Sequence, residues 1–316
     1  MITATFLRHL GSGKVAIDPK DSPKWDVLVS AFSKSERVRV PFFQFKACEK
    51  HWLIHGEYAY STGDLPKGSV LTSASSNESE FIEQALGTLL SVLPRDAKLA
   101  VDITGFMRPH LLFLLVYLRS KGFSSFDAIY TEPGHYERKA ETIFSSSVYE
   151  VRQVAGYEGT HVSDMSDDVV VIGVGYDHDL VGQVIANKSR ARLVQLLSLP
   201  SLSADMYQES LLRLDYVPDA PSHVPDEHLC FASANDPYVT SAVLDEAVGR
   251  LEAQSRISNL YLSPLATKPQ VLGFGMYYMR KTTAIPTSIV FPFARKYSQE
   301  TATGIGRTWM YRVCVE

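Results

Sequence analysis

The 316-residue chain is 45% hydrophobic and 21% charged, as expected of an ordinary folded protein, which excludes a disordered or fibrous chain. Its formal net charge of −4 excludes the broad basic surface of a protein that coats duplex nucleic acid, although it permits a local basic groove. Cys48, Cys230 and Cys314 are far apart without CxxC spacing, which excludes a disulfide framework and a zinc knuckle and indicates a reducing, cytoplasmic setting.

The apolar runs, taken along the chain, predict a soluble α/β protein without a membrane span. Residues 1–18 lack the apolar stretch of a secretion signal, and the longest apolar run, Leu111–Leu118, has the length of a buried helix. Runs without polar alternation predict strands covered by helices on both faces, as in a parallel sheet. They are Val169–Val174, Arg192–Leu199 and Thr287–Phe293. Val148–Val154 and Arg307–Val313 alternate instead, and each predicts an antiparallel edge strand.

The two halves of the chain resemble each other. Lys98–Tyr136 aligns with Ser258–Tyr297, and in both a strand is followed by a polar loop, a basic residue and proline, an apolar helix and a second strand. Because the offset stays at about 160 residues throughout, we predict an internal duplication. The predicted fold is α/β, with two tandem Rossmann-like halves, 1–160 and 161–316, each a doubly wound parallel sheet with an antiparallel edge strand.

Polar loops follow the predicted strands, where open parallel sheets bind ligands. The candidate ligand-binding residues of the first half are Thr104, Gly105, Arg108, Tyr130 and Tyr136, and those of the second half are Tyr176, Ser263, Thr267, Lys268 and Tyr297. Hydroxyl groups, a helix N-terminus and one cation in each half, Arg108 or Lys268, would suit a phosphate group. The tyrosines would stack on bases.

The same two turns also have a purely structural interpretation. DITGFMRP and SPLATKP, at residues 102–109 and 263–269, are typical strand-to-helix turns with capping hydroxyls, and proline is favoured in a first helical turn. A duplicated ancestor would have passed on structural turns as faithfully as binding loops. The repeat therefore leaves both interpretations open.

VDITGFMRP, at residues 101–109, resembles the strand-and-loop motif of CARF domains, the Rossmann-like sensors of cyclic oligoadenylates in CRISPR-linked bacterial antiviral defence. Asp102, Thr104 and Gly105 match that motif, and Arg108 replaces its lysine. The second half keeps the threonine and lysine at 267 and 268 without the Asp-x-Thr-Gly start. CARF domains bind their ligand across a two-fold interface, so the resemblance implies a ligand between two pseudo-symmetric halves.

Other motifs in the chain are weaker. GVGYDHD, residues 173–179, has histidine at the third glycine position of a dinucleotide fingerprint, and Asp177 and Asp179 would repel a pyrophosphate, so helix capping is the better interpretation. His51 and His55 share a face of a predicted strand, which we interpret as a solvated pair rather than as metal ligands. We predict no cofactor and no bound metal.

Three hypotheses of function follow. The first is a nucleotide or cyclic-oligonucleotide sensor. The second is an enzyme acting on a nucleotide or phosphoribosyl-type substrate, including ring-nuclease-like cleavage, with Asp102, Glu132 or His178 as acid or base. The third is a non-catalytic subunit that binds a protein partner in a larger complex.

Overall fold

The computed structural model describes residues 13–136, 145–203, 206–217, 224–281, 284–297 and 302–316. The chain divides into two compact units. Unit 1 comprises residues 1–144 and 296–316, and unit 2 comprises residues 145–295. Within the described ranges, none of the helices has both the length and the apolar character needed to cross a membrane.

Unit 1 contains a mixed seven-stranded sheet and three helices within the described residues. In chain order its elements are β1 (Lys14–Ile17), β2 (Lys24–Ala31), α1 (Glu36–Gln44), β3 (Lys46–Ile54), β4 (Ser69–Thr72), α2 (Glu78–Val92), β5 (Leu99–Asp102), α3 (Arg108–Ser120), β6 (Ser125–Tyr136) and β13 (Ala302–Cys314). The order across the sheet is β1-β13-β6-β5-β2-β3-β4. The strands from β6 to β4 run parallel, whereas β1 and β13 are antiparallel to their neighbours.

The core of unit 1 is built from the apolar runs of the sequence. Trp25 and Leu28 on β2 and Trp52 on β3 pack against Phe42 of α1, whose ring stacks on that of Trp52 at 3.6 Å. The run Leu111–Leu118 forms the middle of α3 and is buried at nearly every position, as its length predicted. Such a helix is apolar on all sides because the protein surrounds it.

Unit 2 contains a six-stranded sheet and four helices within the described residues. Its elements are β7 (Ser145–Gln153), β8 (Val169–Gly173), α4 (His178–Asn187), β9 (Arg192–Ser198), α5 (Met206–Leu214), β10 (Leu229–Ala232), α6 (Pro237–Gln254), β11 (Leu260–Pro264), α7 (Lys268–Arg280) and β12 (Thr287–Tyr297). The order is β10-β9-β8-β11-β12-β7, and the first five strands are parallel. All five residues of β8 and of β11 are buried, which explains why neither strand alternates.

The parallel part of each sheet is wound in the same way. In unit 1 the chain runs outward from β2 through β3 to β4, then returns to β5 and β6 on the other side of β2. In unit 2 it runs from β8 through β9 to β10 and returns to β11 and β12. The predicted fold class, α/β with mostly parallel sheets and antiparallel edge strands, is confirmed. The strand order reverses between β2 and β5 and between β8 and β11, which are the topological switch points.

The alternating strands pair differently from the sequence-based expectation. β13, from the end of the chain, joins the sheet of unit 1, where it pairs antiparallel with β6 over a register that includes Trp309 opposite Tyr130. β7, from the middle of the chain, forms the edge of the sheet of unit 2 beside β12. The compact units therefore have other bounds than the predicted halves 1–160 and 161–316, because each takes its alternating strand from the other half of the sequence.

Candidate functional site

The switch point of unit 1 brings three loops together at the carboxyl ends of its strands. Residues 32–35 follow β2 and lead into α1. Residues 103–107 follow β5 and lead into α3. Residues 55–60 follow the neighbouring strand β3 and include a short 3-10 turn, Gly56–Tyr58. Because ligands of open parallel sheets bind at this place, these loops form the candidate site of unit 1.

Asp102 and Thr104 hold the loop after β5 in place. Asp102 is fully buried, and its Oδ2 accepts a hydrogen bond of 2.8 Å from the Ser30 hydroxyl, while its Oδ1 accepts one of 3.0 Å from the Thr104 N–H. The Thr104 Oγ1 accepts the N–H of Thr131 on β6 at 3.0 Å. Burial raises the pKa of the Asp102 carboxyl, and the hydrogen bonds from Thr104 and Ser30 oppose that rise. Both side chains are thus hydrogen-bonded within the fold.

Gly105 is required where the loop after β5 passes the end of β2. A Cβ at this position would lie 2.1 Å from the carbonyl oxygen of Ala31. The carbonyl oxygen of Gly105 accepts a hydrogen bond of 3.3 Å from the Tyr58 hydroxyl. Only glycine permits this approach of the two loops, which explains the glycine of the Asp-x-Thr-Gly motif in structural terms.

Two arginines of this site, Arg37 and Arg108, both affect the Tyr58 phenol through their charges. Arg37, in the first turn of α1, donates from Nη1 to the carbonyl oxygen of Thr131 at 3.2 Å, and Arg108 is the first residue of α3. Burial raises the pKa of the Tyr58 phenol to about 12, and the positive charges of Arg108 and Arg37 oppose that rise. Sequence analysis singled out Arg108 and missed Arg37, although Arg37 lies just after a buried strand.

The helices that begin at this switch point have no side-chain cap. The N-cap residues are Ser35 for α1 and Met107 for α3, and neither side chain accepts a hydrogen bond from its helix. The Ser35 Oγ and the Arg37 Nε are buried and make no hydrogen bond with the residues that the structure describes. The first N–H groups of a helix attract anions, so the two helix ends and the two arginines favour a negatively charged ligand.

A second cluster in unit 1 joins the end of β3 to α3. His55 and His110 are 0% and 2% exposed, and the His110 Nε2 lies 3.6 Å from the Glu57 Oε1. Nitrogen or oxygen atoms of the three side chains lie within 4.8 Å of one another. The expected solvated pair of His51 and His55 is wrong, because the chain leaves β3 after Ile54 and turns His55 into the core.

The helices at the switch point of unit 2 have side-chain caps. Asp177 is the N-cap residue of α4 and accepts the N–H of Leu180 at 3.3 Å, which confirms the capping interpretation of the GVGYDHD segment. Thr267 is the N-cap residue of α7. Its hydroxyl oxygen accepts the N–H of Gln270, and its hydroxyl donates to the carbonyl oxygen of Ala234. Lys268 follows as the first residue of the helix. Two of the helix ends that could attract an anion therefore already have a side-chain acceptor.

Gly175 and Ser263 also lie at this switch point. A Cβ on Gly175 would lie 2.2 Å from the carbonyl oxygen of Leu265, so a close approach again requires glycine, here on the loop after the central strand. Ser263 is fully buried, and its Oγ makes no hydrogen bond within the described part of the chain.

The remaining predicted residues of the first half lie along β6. Tyr130 is 4% exposed and packs in the core, so its ring has no exposed face for a base. Glu132 is half-buried, and its Oε1 accepts the indole N–H of Trp309 on β13 at 2.8 Å. Tyr136 ends β6, but its side chain lies outside the described residues.

The remaining predicted residues of the second half are dispersed. The carbonyl oxygen of Tyr176 accepts a hydrogen bond of 2.9 Å from Arg213 of α5, whose guanidinium lies 4.9 Å from the tyrosine ring. The His178 Nε2 lies 3.7 Å from the Asp179 Oδ1 at the exposed start of α4. The side chain of Tyr297, at the end of β12, lies outside the described residues.

Comparisons with known proteins add no family to this geometry. No protein-family model, curated protein or solved structure matches the chain.

Proposed function

We propose that unit 1 binds a nucleotide-type ligand through its phosphate groups at the carboxyl ends of β2 and β5. The proposal rests on one observation. Two helices without side-chain caps, α1 and α3, begin at the topological switch point, and each has an arginine in its first turn, Arg37 or Arg108. Guanidinium groups and backbone N–H groups at helix ends are the donors that proteins use for phosphate.

The buried carboxyl of Asp102 is compatible with an anionic ligand. Its two oxygens accept hydrogen bonds from Ser30 and Thr104 inside the fold. Asp102 is fully buried, so it presents no exposed carboxylate to a phosphate. In unit 2, Asp177 and Asp179 place two carboxyl groups at the start of α4, whereas in unit 1 the first turn of α1 has one, Glu36, and that of α3 has none.

The resemblance of residues 101–109 to CARF domains suggests the ligand class, a cyclic oligoadenylate, and with it a role in antiviral defence. The structure supplies a structural reason for each matching residue, since Asp102 and Thr104 fix the loop and Gly105 permits the close approach to Ala31. We therefore rest phosphate binding on the arginines and helix ends, and only the choice among nucleotides on the resemblance.

The test is calorimetric titration with cyclic oligoadenylates, mononucleotides, dinucleotides and inorganic phosphate, with the nucleotide recovered and examined by chromatography. Arg37→Ala and Arg108→Ala should each weaken binding about 10- to 150-fold, since a charge-assisted hydrogen bond contributes about 1.5 to 3 kcal/mol. Arg119→Ala is the matched control, because Arg119 is exposed at the other end of the same helix, α3.

Each result has a definite meaning. A nucleotide that binds and is recovered intact supports a sensor, whereas a cleaved nucleotide supports the enzyme hypothesis. The proposal fails when no nucleotide binds, or when both arginine variants bind as tightly as the wild type. Lys268→Ala tests unit 2 separately, and an equal loss there would show that the ligand also needs the start of α7.

A further inference from the structure

We propose that His55, Glu57 and His110 bind a divalent transition-metal ion, for which Zn²⁺ is the probe. The proposal is independent of nucleotide binding, because it rests on a different set of side chains. Two imidazoles and one carboxylate are a ligand set of zinc sites that keep one position open for water or substrate.

The three side chains come from different elements that already hold them close together. His55 follows β3, Glu57 lies in the 3-10 turn, and His110 is in the first turn of α3. Ligands about 2.0 to 2.2 Å from a tetrahedral zinc ion are about 3.4 Å apart. The His110 Nε2 and the Glu57 Oε1 are 3.6 Å apart, and the whole set lies within 4.8 Å. Side-chain adjustment of up to about 1.4 Å would close the site.

The surroundings fix the two imidazole rings. The ring of His55 stacks on Phe81 with centroids 4.9 Å apart and meets the edge of Phe106 at 5.4 Å. His110 meets Phe81 edge-on at 4.8 Å, and the two histidine rings are themselves 4.8 Å apart. An apolar wall strengthens electrostatic attraction between a carboxylate and a cation, because water is excluded.

Glu57 is the member of the cluster that points to a cation. Its Oε2 is buried and makes no hydrogen bond within the described residues. The side chain is still 12% exposed, so an ion can reach the cluster along it.

An ion bound at the Nε2 of His55 would displace a weak hydrogen bond. The His55 Nε2 accepts the backbone N–H of Met107 at 3.4 Å, which is long for a hydrogen bond. That contact fixes the imidazole orientation in the metal-free protein, and its small energy is readily exceeded by a zinc–nitrogen bond.

The experiment measures zinc on the intact chain without a histidine tag. After dialysis against a weak chelator, we expect about one Zn²⁺ per wild-type chain by elemental analysis, and Co²⁺ should give the absorption bands of a low-symmetry site. Glu57→Gln and His110→Gln should lose more than the roughly 10- to 100-fold in affinity that follows removal of a residue that merely orients a ligand.

His51→Gln is the matched control. The His51 Nε2 lies 3.4 Å from the Glu49 Oε2 on β3, so this pair offers a histidine and a carboxylate outside the cluster. The control should keep its zinc. Tryptophan emission, which comes entirely from unit 1 because Trp25, Trp52 and Trp309 all lie there, shows whether each variant has folded.

The proposal is overturned when the folded wild type binds no Zn²⁺ or Co²⁺. It is also overturned when folded Glu57→Gln and His110→Gln retain wild-type affinity, or when His51→Gln is the variant that loses the ion.

Discussion

Gly105→Ala should destabilise unit 1 by about 3 kcal/mol, the upper part of the range for overpacking a well-packed interior. The added Cβ would lie 2.1 Å from the carbonyl oxygen of Ala31 and 3.0 Å from its carbonyl carbon. Ordinary contact begins at 3.4 Å, so the loop after β5 must move by about 1.3 Å away from β2, the difference between these distances. The atoms that block it belong to backbone, so no side-chain rotation can relieve the contact.

The assay is chemical denaturation followed by tryptophan emission and by far-ultraviolet circular dichroism. All three tryptophans lie in unit 1, so their emission isolates its transition, whereas circular dichroism reports both units. At a slope of about 1 to 3 kcal/mol/M in urea, a loss of 3 kcal/mol lowers the midpoint by at least about 1 M. Movement of the loop should also weaken phosphate binding, since α3 and Arg108 follow directly after it.

Substitutions of two other glycines serve as comparisons for Gly105→Ala. Gly175→Ala places a Cβ 2.2 Å from the carbonyl oxygen of Leu265 and should lower the transition of unit 2 by a similar amount. A Cβ on Gly249, inside α6, would meet no atom of the described residues within 4 Å beyond its neighbouring helix backbone, so Gly249→Ala should instead stabilise by about 0.5 to 1 kcal/mol through helix propensity. A Gly105→Ala protein that unfolds at the wild-type midpoint would refute the close approach.

Four further changes test other parts of the structure. Asp102→Ala should lose about 2 to 5 kcal/mol, because the Ser30 hydroxyl and the Thr104 N–H lose their acceptor, as measured by urea denaturation. Asp102→Asn tests the charge: a raised pKa means that the folded protein binds the proton more tightly, so wild-type unfolding free energy should fall relative to this variant as pH rises above about 4. A pH-independent difference would contradict that direction. Thr267→Ala should cost about 1 kcal/mol by removing the α7 cap, with the transition of unit 2 as the readout. A chain ending at residue 297 lacks β13 and should lose the tryptophan-monitored transition, whereas a normal transition would exclude the pairing of β13 with β6.

Local features of this protein were predictable because the residues that produce them are neighbours along the chain. Continuous apolar runs indicated parallel strands, and β8, which one of these runs forms, is buried at every residue. Asp177 or Asp179 was predicted to cap a helix, and Asp177 does so. Pro109 and Pro269 were expected in first helical turns, where they lie in α3 and α7.

The candidate sites were only partly predictable. Arg108 was found because a motif surrounds it, but Arg37 lies at the same switch point only because β2 and β5 are neighbours across the sheet while lying far apart in sequence. His55 and His110 are likewise separated by more than fifty residues, and β3 and α3 bring them together. The i,i+4 spacing of His51 and His55 predicted that these two side chains form a pair, whereas the turn after Ile54 places His55 beside His110.

The alternating strands show most clearly what the sequence determines by itself. Alternation in β7 and β13 predicts one buried face for each strand, because side chains along a strand have a two-residue period. In β13 Tyr311 and Val313 are buried and Arg312 between them is exposed, whereas the described side chains of β7 are only partly buried or exposed. Alternation does not record which backbone supplies the hydrogen bonds, because N–H and C=O groups are the same in every residue. Tertiary packing therefore decided that β13 pairs with β6 in unit 1 and that β7 lies beside β12 in unit 2.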